Sequence, residues 1–551
     1  MNGADVAVEA LRREGVRHIV GLPGTTVMHL IDAAGRNPGV QYLSVRHEQV
    51  AAFMADGYAR ASGDVGVCLA SRGPGAANLS IGVHNAHAES IPVLALVGQV
   101  PDAIYHREAF EEMDVVRFFE PITKWSAEVH QPSRIAELTQ RAVRTALSGR
   151  PGPVMLSLPL DVQTGDAADS YQRSARALPA APSAAAIEAA VSRLSTAMRP
   201  VIIAGGGLQR PRFDPGLVRL AERLQIPVVT TWLRKNVFPN DSAQFCGCLG
   251  YGAFAVTEDL VREADVVLAV GCRFSEFTSA RWTLLPASAA LIQVDVDADA
   301  LGRYYVPEVG ICADAALTTR ALADAADAFA AAPSLATRAR TQTARELYLQ
   351  EAVLPAAPER AGVVSSAALV KALRTALGGT TATLVQDAPS LGVWIQRYLD
   401  FAAPASYYGS GGGAMGWGFP AAMGMQLARP AERFITVTGD GSFWMVAQDL
   451  ETAVREQLPV VVVINNNFAF GNTRDRQRAA HGGRYLGVFY RNPDFAEFAR
   501  LLGAHGERVE KAEDLVPALD RALASGRPAV VDVLQDQHEG LPAGLLPPAA
   551  R

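Results

Sequence analysis

Apolar positions follow two alternating rhythms along this chain. Short β-branched runs, such as Arg433-Phe434-Ile435-Thr436-Val437 and Val460-Val461-Val462-Val463-Ile464, read as buried strands, and between such runs apolar residues recur at helical spacing. In residues 1–165 the pattern predicts helices at Val6–Glu14, Thr26–Ala34 and Gln49–Ala61, and strands at His18–Val20, Tyr42–Val45, Gly66–Ala70 and Pro92–Leu96. A second unit opens at Pro200-Val201-Ile202-Ile203, continues through Pro227–Val229, Asp265–Val270 and Leu291–Val296, and fades near residue 330. A third starts at Gly362. Strands alternating with helices predict doubly wound parallel sheets. The expected architecture is therefore α/β, with domains at 1–165, 186–335 and 362–535. A polar Ala/Pro-rich linker (166–186), a partly helical connector (Ala331–Arg360) and a tail (536–551) complete the expected organisation.

Composition narrows the function classes. The 551 residues are 49% hydrophobic and 19% charged, as in a soluble globular enzyme. A net charge of −6 gives no reason to expect nucleic acid or an acidic membrane as partner. Cys68, Cys246, Cys248, Cys272 and Cys312 lack metal-ligand spacing and read as reduced core residues. Met1 leads directly into an amphipathic helix with no signal-peptide core, and no apolar run is long enough to span a membrane. The expected location is the cytoplasm.

The turn Thr438-Gly439-Asp440-Gly441-Ser442 separates the two strands quoted above, and Asn465-Asn466-Asn467 ends the second. Phe443, Met445, Val446, Leu450, Ala453 and Val454 recur at helical spacing from the turn to Pro459, so the unit reads as strand, glycine turn, helix and parallel strand. Asp440 and Asn467 then lie at the carboxyl ends of strands, where open α/β sheets bind ligands. A carboxylate and an amide oxygen make a hard-oxygen site of the kind Mg²⁺ takes when substrate phosphates complete its octahedron. The glycines let backbone N–H groups approach a diphosphate at a helix N-terminus. Taken alone, the same residues also suit an ordinary βαβ unit whose aspartate caps a helix.

The pattern of GDG followed about 27 residues later by paired asparagines resembles the motif of thiamin diphosphate (ThDP) enzymes. The resemblance covers essentially the whole chain, in the order pyrimidine, central and diphosphate domains. It is closest to the branch containing acetohydroxyacid synthase, oxalyl-CoA decarboxylase and benzoylformate decarboxylase. It implies ThDP and Mg²⁺ as cofactors, with Asp440, Asn467 and the carbonyl of Ala469 as metal ligands, and Gly441, Ser442 and Gly471 beside the diphosphate. Arg46-His47-Glu48 matches the segment whose glutamate hydrogen-bonds N1′ of the aminopyrimidine, making Glu48 the leading catalytic residue, with His47 expected to orient it. Gly411-Gly412-Gly413-Ala414-Met415-Gly416 matches the loop in which Gly413 and Met415 meet the pyrimidine and Met415 holds the bent cofactor. Gly24 and Thr25 match a loop facing the thiazolium, Pro74 and Asn78 a turn near the pyrimidine, and Ala388 and Ser390 a diphosphate loop. Gly98-Gln99-Val100-Pro101 matches a loop that places Gln99 near substrate, and Ala109-Phe110-Glu111-Glu112 a loop with Glu in place of Gln. Arg72 suits either a substrate carboxylate or an interface ion pair. His84 and His87, three apart on one helix, read as structural or interfacial.

The pattern breaks in two places. Phe277 stands where the synthase has an arginine for the acceptor's carboxylate, and Arg476 where it has a tryptophan that selects the acceptor. Both changes alter the acceptor pocket and count against acetolactate as product, while leaving the cofactor machinery intact. Gly205-Gly206-Gly207 and Arg273 match flavin-contacting positions, but Thr230-Thr231-Trp232-Leu233 diverges; FAD stays open without being the expectation.

The implied activity is decarboxylation of a 2-oxo acid, with the resulting enamine passed to a carbonyl acceptor such as an aldehyde or ketone. Alternatives are simple decarboxylation to an aldehyde, lysis of a 2-hydroxyacyl or oxalyl thioester, and a catalytically silent structural or regulatory homologue. The resemblance further implies a homodimer or homotetramer, with each site between the first domain of one subunit and the third of its partner.

Overall fold

The computed structural model of the chain describes all residues except 170, 173–176, 210–211, 330–332, 357–360, 379–380, 388–389, 543–544 and 546–551. Three six-stranded parallel sheets follow one another along the chain. The first comprises β1 (His18–Gly21), β2 (Gln41–Ser44), β3 (Gly66–Ala70), β4 (Val93–Gln99), β5 (Trp125–Glu128) and β6 (Val154–Pro159), in the order β2-β1-β3-β4-β6-β5. The second comprises β7 (Pro200–Ala204), β8 (Val228–Thr230), β9 (Phe245–Cys248), β10 (Val266–Val270), β11 (Ala290–Asp295) and β12 (Val309–Cys312), in the order β12-β11-β10-β7-β8-β9. The third comprises β13 (Thr383–Gln386), β14 (Tyr407–Gly409), β15 (Phe434–Gly439), β16 (Val461–Asn466), β17 (His505–Val509) and β18 (Ala529–Leu534), in the order β14-β13-β15-β16-β18-β17. Helices cover both faces, so β3, β4, β6, β7 and β10 are buried at every position and read as unbroken apolar runs. No helix among the described residues is long and apolar enough to cross a membrane.

The structure departs from the sequence reading in three places. The expected helix after Asp440 is broken into Asp440–Phe443, a 3₁₀ turn at Ala447–Asp449 and Leu450–Arg455. Val446 leaves helical conformation (φ −138°) there, so Phe443, Val446 and Leu450 enter the core while Trp444 and Met445 face outwards. In the first two sheets, strands β5, β6, β9 and β12 went unpredicted; β12 is an edge strand with only Ile311 buried, so its apolar signal is weak. For the same reason Cys312 is exposed, whereas Cys68, Cys246, Cys248 and Cys272 are buried thiols.

The first and third sheets are joined through two helices, Glu48–Ser62 and Gly418–Ala428, which touch backbone to backbone. A Cβ on Gly57 would stand 2.1 Å from the carbonyl oxygen of Ala421, and one on Gly424 1.9 Å from that of Met54. Only glycine permits this approach. Val50, Phe53 and Met54 share a core with Phe419, Met423 and Ile464. A buried ionic network continues the junction. Arg60 pairs with Asp56 (2.6 Å) and Glu89 (3.4 Å) and lies 4.8 Å over the Trp417 ring, whose Nε1 donates to Asp56 (2.9 Å). Arg234, from the central domain, pairs with the same Glu89. Burial alone would raise the Glu89 carboxyl, but Arg234 and Arg60 outweigh it and hold the pKa at about 2.

Candidate active site

The first domain contributes Glu48 at the start of its helix. His47 caps that helix, its Nδ1 accepting from the Gln49 N–H at 3.1 Å, so the imidazole serves the cap and is not what orients Glu48. Asn78 does that: its Nδ2 donates to Glu48 Oε2 at 2.9 Å. Glu48 is buried, and its Oε1 would lie 3.1 Å from a Cβ on Gly75, in the turn of the helix Gly73–Glu89. The Gly24–Thr25 loop meets the same turn, since a Cβ on Gly24 would stand 2.6 Å from that of Ser71, and the Thr26 and Ser71 hydroxyls are 2.8 Å apart. Pro74 and Asn78 are exposed on one side of this helix. Gln99, expected beside substrate, is fully buried: its Nε2 donates to the Met113 carbonyl (2.9 Å) and its Oε1 accepts from the Val100 N–H (3.0 Å). Arg72 pairs with Glu111 of its own chain (3.2 Å) and lies 5.4 Å over the Phe110 ring.

The third domain contributes Asp440 at the end of β15. The carboxylate accepts four hydrogen bonds. Oδ1 takes the Gly441 N–H (2.9 Å) and the Tyr490 hydroxyl (2.9 Å); Oδ2 takes the Phe468 N–H (2.7 Å) and Asn492 Nδ2 (2.8 Å). Burial pushes the Asp440 pKa up, against the pull of those donors. The three asparagines differ in their surroundings. Asn466 donates to Asp532 (2.8 Å) and accepts from Asn492 (2.8 Å), so it braces the sheet. Asn467 Oδ1 accepts from the Ala469 N–H at 3.2 Å, and Asn465 Oδ1 is buried without a partner. The helix Gly471–His481 starts beside them: a Cβ on Gly471 would stand 2.8 Å from Ser390 Oγ and 3.3 Å from Asn467 Nδ2. Asn472 Oδ1, in the first turn, is buried and unpaired. Gly441 faces the Phe470 ring, 2.6 Å from its own Cβ position, and Ser442 is buried next to it. Ala388 lies outside the described residues.

The glycine loop after β14 is gripped from the other domains. Arg60 (3.3 Å) and Arg234 (3.1 Å) both donate to the Gly409 carbonyl, and Ser410 Oγ donates to Asn85 (2.8 Å). Gly413 has φ +75° with open space around its Cβ position, and Met415 is half-buried beyond it. A left-handed glycine with nothing above it leaves backbone groups free to meet a flat ring.

Three family models match the chain: the thiamine pyrophosphate enzyme N-terminal TPP binding domain at residues 1–118, the central domain at 187–322 and the C-terminal TPP binding domain at 387–533. The probable acetolactate synthase large subunit of Methanocaldococcus jannaschii is 34% identical, over 100% of this chain and 94% of its own. The acetolactate synthase large subunits of Parasynechococcus marenigrum and Corynebacterium glutamicum are 33% and 31% identical, each over 97% of this chain and 87% of their own. The chain belongs to the thiamine pyrophosphate enzyme family.

For a thiamine pyrophosphate enzyme, the residues gathered here fit the cofactor. The free amides at the start of Gly471–His481 and the Ser390 hydroxyl suit a diphosphate, and Gly413 offers an open backbone edge for the pyrimidine. Asp440, Asn467 and the Ala469 carbonyl supply the hard oxygens Mg²⁺ prefers. All four lone-pair positions of Asp440 already have donors, so an ion there would replace one of them. The flavin positions are different. Gly205 and Gly207 pack on the backbone of Gly271, a Cβ on Gly206 would stand 3.2 Å from Arg234 Nε, and Arg273 donates to the Ala88 carbonyl at 2.6 Å. The chain's own packing accounts for these glycines and engages both arginines. Sequence reasoning missed Tyr490, Asn492, Asp56, Arg60 and Arg234. The Asn492-Pro493 step signals a turn, but nothing in the sequence aims that turn at Asp440.

Proposed function

We propose that this family member is a ThDP- and Mg²⁺-dependent carboligase of the acetolactate-synthase type, acting on 2-oxo acids. The observation that carries the reading is the pair of buried carboxylates on two domains: Glu48 held by Asn78, and Asp440 at the end of β15, accepting from the N–H of Phe468, the residue after Asn467. ThDP, when bound, supplies the carbanion chemistry that decarboxylation and ligation require. In this reading Glu48 shares a proton with the aminopyrimidine N1′, and Asn78 keeps its carboxylate aimed. Gly413 and Met415 hold the ring; Ser390 and Gly471 bind the diphosphate; Asp440, Asn467 and Ala469 ligate Mg²⁺. Gln99 acts at one remove, by fixing the 105–113 loop. No step is routed through a flavin.

The same reading makes the protein a cytoplasmic homodimer or homotetramer with sites shared between subunits. In support, Pro74, Ala77, Asn78, Ile81 and His84 form an exposed stripe at helical spacing beside Glu48. In the same reading the domains span residues 1–165, 186–335 and 362–535. The test is incubation with ThDP, Mg²⁺ and a panel of 2-oxo acids, with and without aldehydes, following CO₂ and 2-hydroxy ketones. CO₂ release with aldehyde as the sole product would replace ligation by simple decarboxylation; no turnover of any 2-oxo acid would sink the reading.

A further inference from the structure

An aromatic wall stands beside the glycine loop that follows β14. The Trp232 ring edge lies 3.4 Å from the Cβ position of Gly411. Phe277 packs on Trp232 with centroids 4.4 Å apart, and Tyr251 lies 6.0 Å from Phe277. Gly250 backs the indole, its Cβ position 2.6 Å from Trp232 Cβ, so the ring is fixed from behind. All three rings are half-buried and so keep part of their surface open. They arrive from separate loops of the central domain, after β8, β9 and β10. Burial pushes the Tyr251 phenol up to about 12, against the pull of the Arg476 charge. Phe277 makes the wall continuous. The arginine that the resemblance expects at that position would put a permanent positive charge and a carboxylate-binding fork there.

Resting on the carboligase reading, we propose that Trp232, Tyr251 and Phe277 seat the flat, apolar side chain of the acceptor, which is an aryl aldehyde and not a second small 2-oxo acid. In the overall reaction the donor's bond to its carboxyl carbon breaks and CO₂ leaves. The electron pair left behind forms the new C–C bond to the aldehyde carbon, whose oxygen takes one proton from solvent. The product is an aryl 2-hydroxy ketone, with no external oxidant or reductant.

The test holds pyruvate as donor and compares benzaldehyde with acetaldehyde as acceptors, reading kcat/KM for each ligated product. The wild-type ratio should favour benzaldehyde by roughly tenfold, the scale of a favourable aromatic contact. Phe277→Ala and Tyr251→Ala should each cut that ratio by several-fold, and Phe277→Tyr should restore it. Because both acceptors are measured on one preparation, loss of folded enzyme cancels from the ratio. CO₂ release from pyruvate with a ratio that ignores all three substitutions overturns the seat alone. No CO₂ from pyruvate or any other 2-oxo acid overturns the carboligase reading, and the seat with it.

Discussion

Asn78 donates to the Glu48 carboxylate at 2.9 Å, so the proposed catalytic acid is oriented by a helix other than its own. Glu48→Gln should keep this contact yet lose the ability to share a proton, and a general acid–base contribution is typically ~10²–10⁴-fold. Exchange of the C2 proton of bound ThDP for deuterium, followed by NMR after acid quench, should slow by that factor. Asn78→Ala should slow it less, because the carboxylate remains but loses its aim. An exchange rate untouched by Glu48→Gln would remove this residue from the mechanism.

With Mg²⁺ proposed at Asp440, Tyr490 and the ion would compete for the same carboxylate. The Tyr490 hydroxyl accounts for one of the four bonds to Asp440, and a net hydrogen bond is worth about 0.5–1.5 kcal/mol. Tyr490→Phe should therefore tighten Mg²⁺ by up to about tenfold in calorimetric titrations with ThDP present. Asp440→Ala should abolish that binding. Burial raises the Asp440 pKa, so protons should begin to weaken Mg²⁺ binding at a higher pH than they would at an exposed aspartate. Weaker Mg²⁺ binding in Tyr490→Phe would mean that the phenol supports the ion instead of displacing it.

Asp449 gives the stability a pH dependence. It accepts the Arg46 N–H across the domain junction (2.8 Å) and the Thr452 hydroxyl (2.8 Å), while its other oxygen is buried without a partner. Burial raises its pKa from 3.8 to about 6, against the Arg46 and Thr452 hydrogen bonds. A raised folded pKa contributes stability that is fully present below 3.8 and is lost as pH rises through about 6. Asp449→Asn stays neutral and keeps an acceptor for Arg46. It should raise the apparent melting temperature at pH 8 more than at pH 5, by an amount that corresponds to at most about 3 kcal/mol. Equal shifts at both pH values would show that the carboxyl does not titrate in this range.

Shared sites make a further prediction. Glu48→Gln and Asp440→Ala chains, each inactive alone, should regain activity when their subunits are mixed and allowed to exchange. A heterodimer has one site with both residues intact and one with neither, so statistical mixing gives roughly a quarter of wild-type activity. Verified exchange with no recovery would mean that each chain completes its own site.

The sheets were legible because burial on both faces writes uninterrupted apolar runs such as Val460–Ile464, and the end of each run marks where ligands gather. Glu48, Asp440 and Asn467 could be picked out for the same reason: each sits in or beside a short segment of fixed chemistry at a strand end. Their partners could not. Asn78 lies on another helix, and Tyr490 and Asn492 reach Asp440 from a loop distant in sequence, so their roles exist only after folding. The broken helix after Asp440 escaped because its apolar spacing is the same for one helix as for three short turns. Edge strand β12 escaped because only one of its faces touches the core.

The glycine contacts at Gly57 and Gly424 have a mechanical consequence. One of the two helices begins at Glu48 and the other follows the Gly409–Met415 loop, and their backbones are already at closest approach. Neither can slide or tilt without driving Cα hydrogens into a carbonyl, so Glu48 and the Gly409–Met415 loop of one chain move as one piece, and in a shared-site dimer that piece ties two sites together. Breathing that admits substrate must then fall to softer stretches. The Gly482-Gly483 exit of the helix Gly471–His481, two left-handed glycines with open space at their Cβ positions, has the backbone freedom for it. The junction is the chassis of this enzyme, and its hinge lies at the rim.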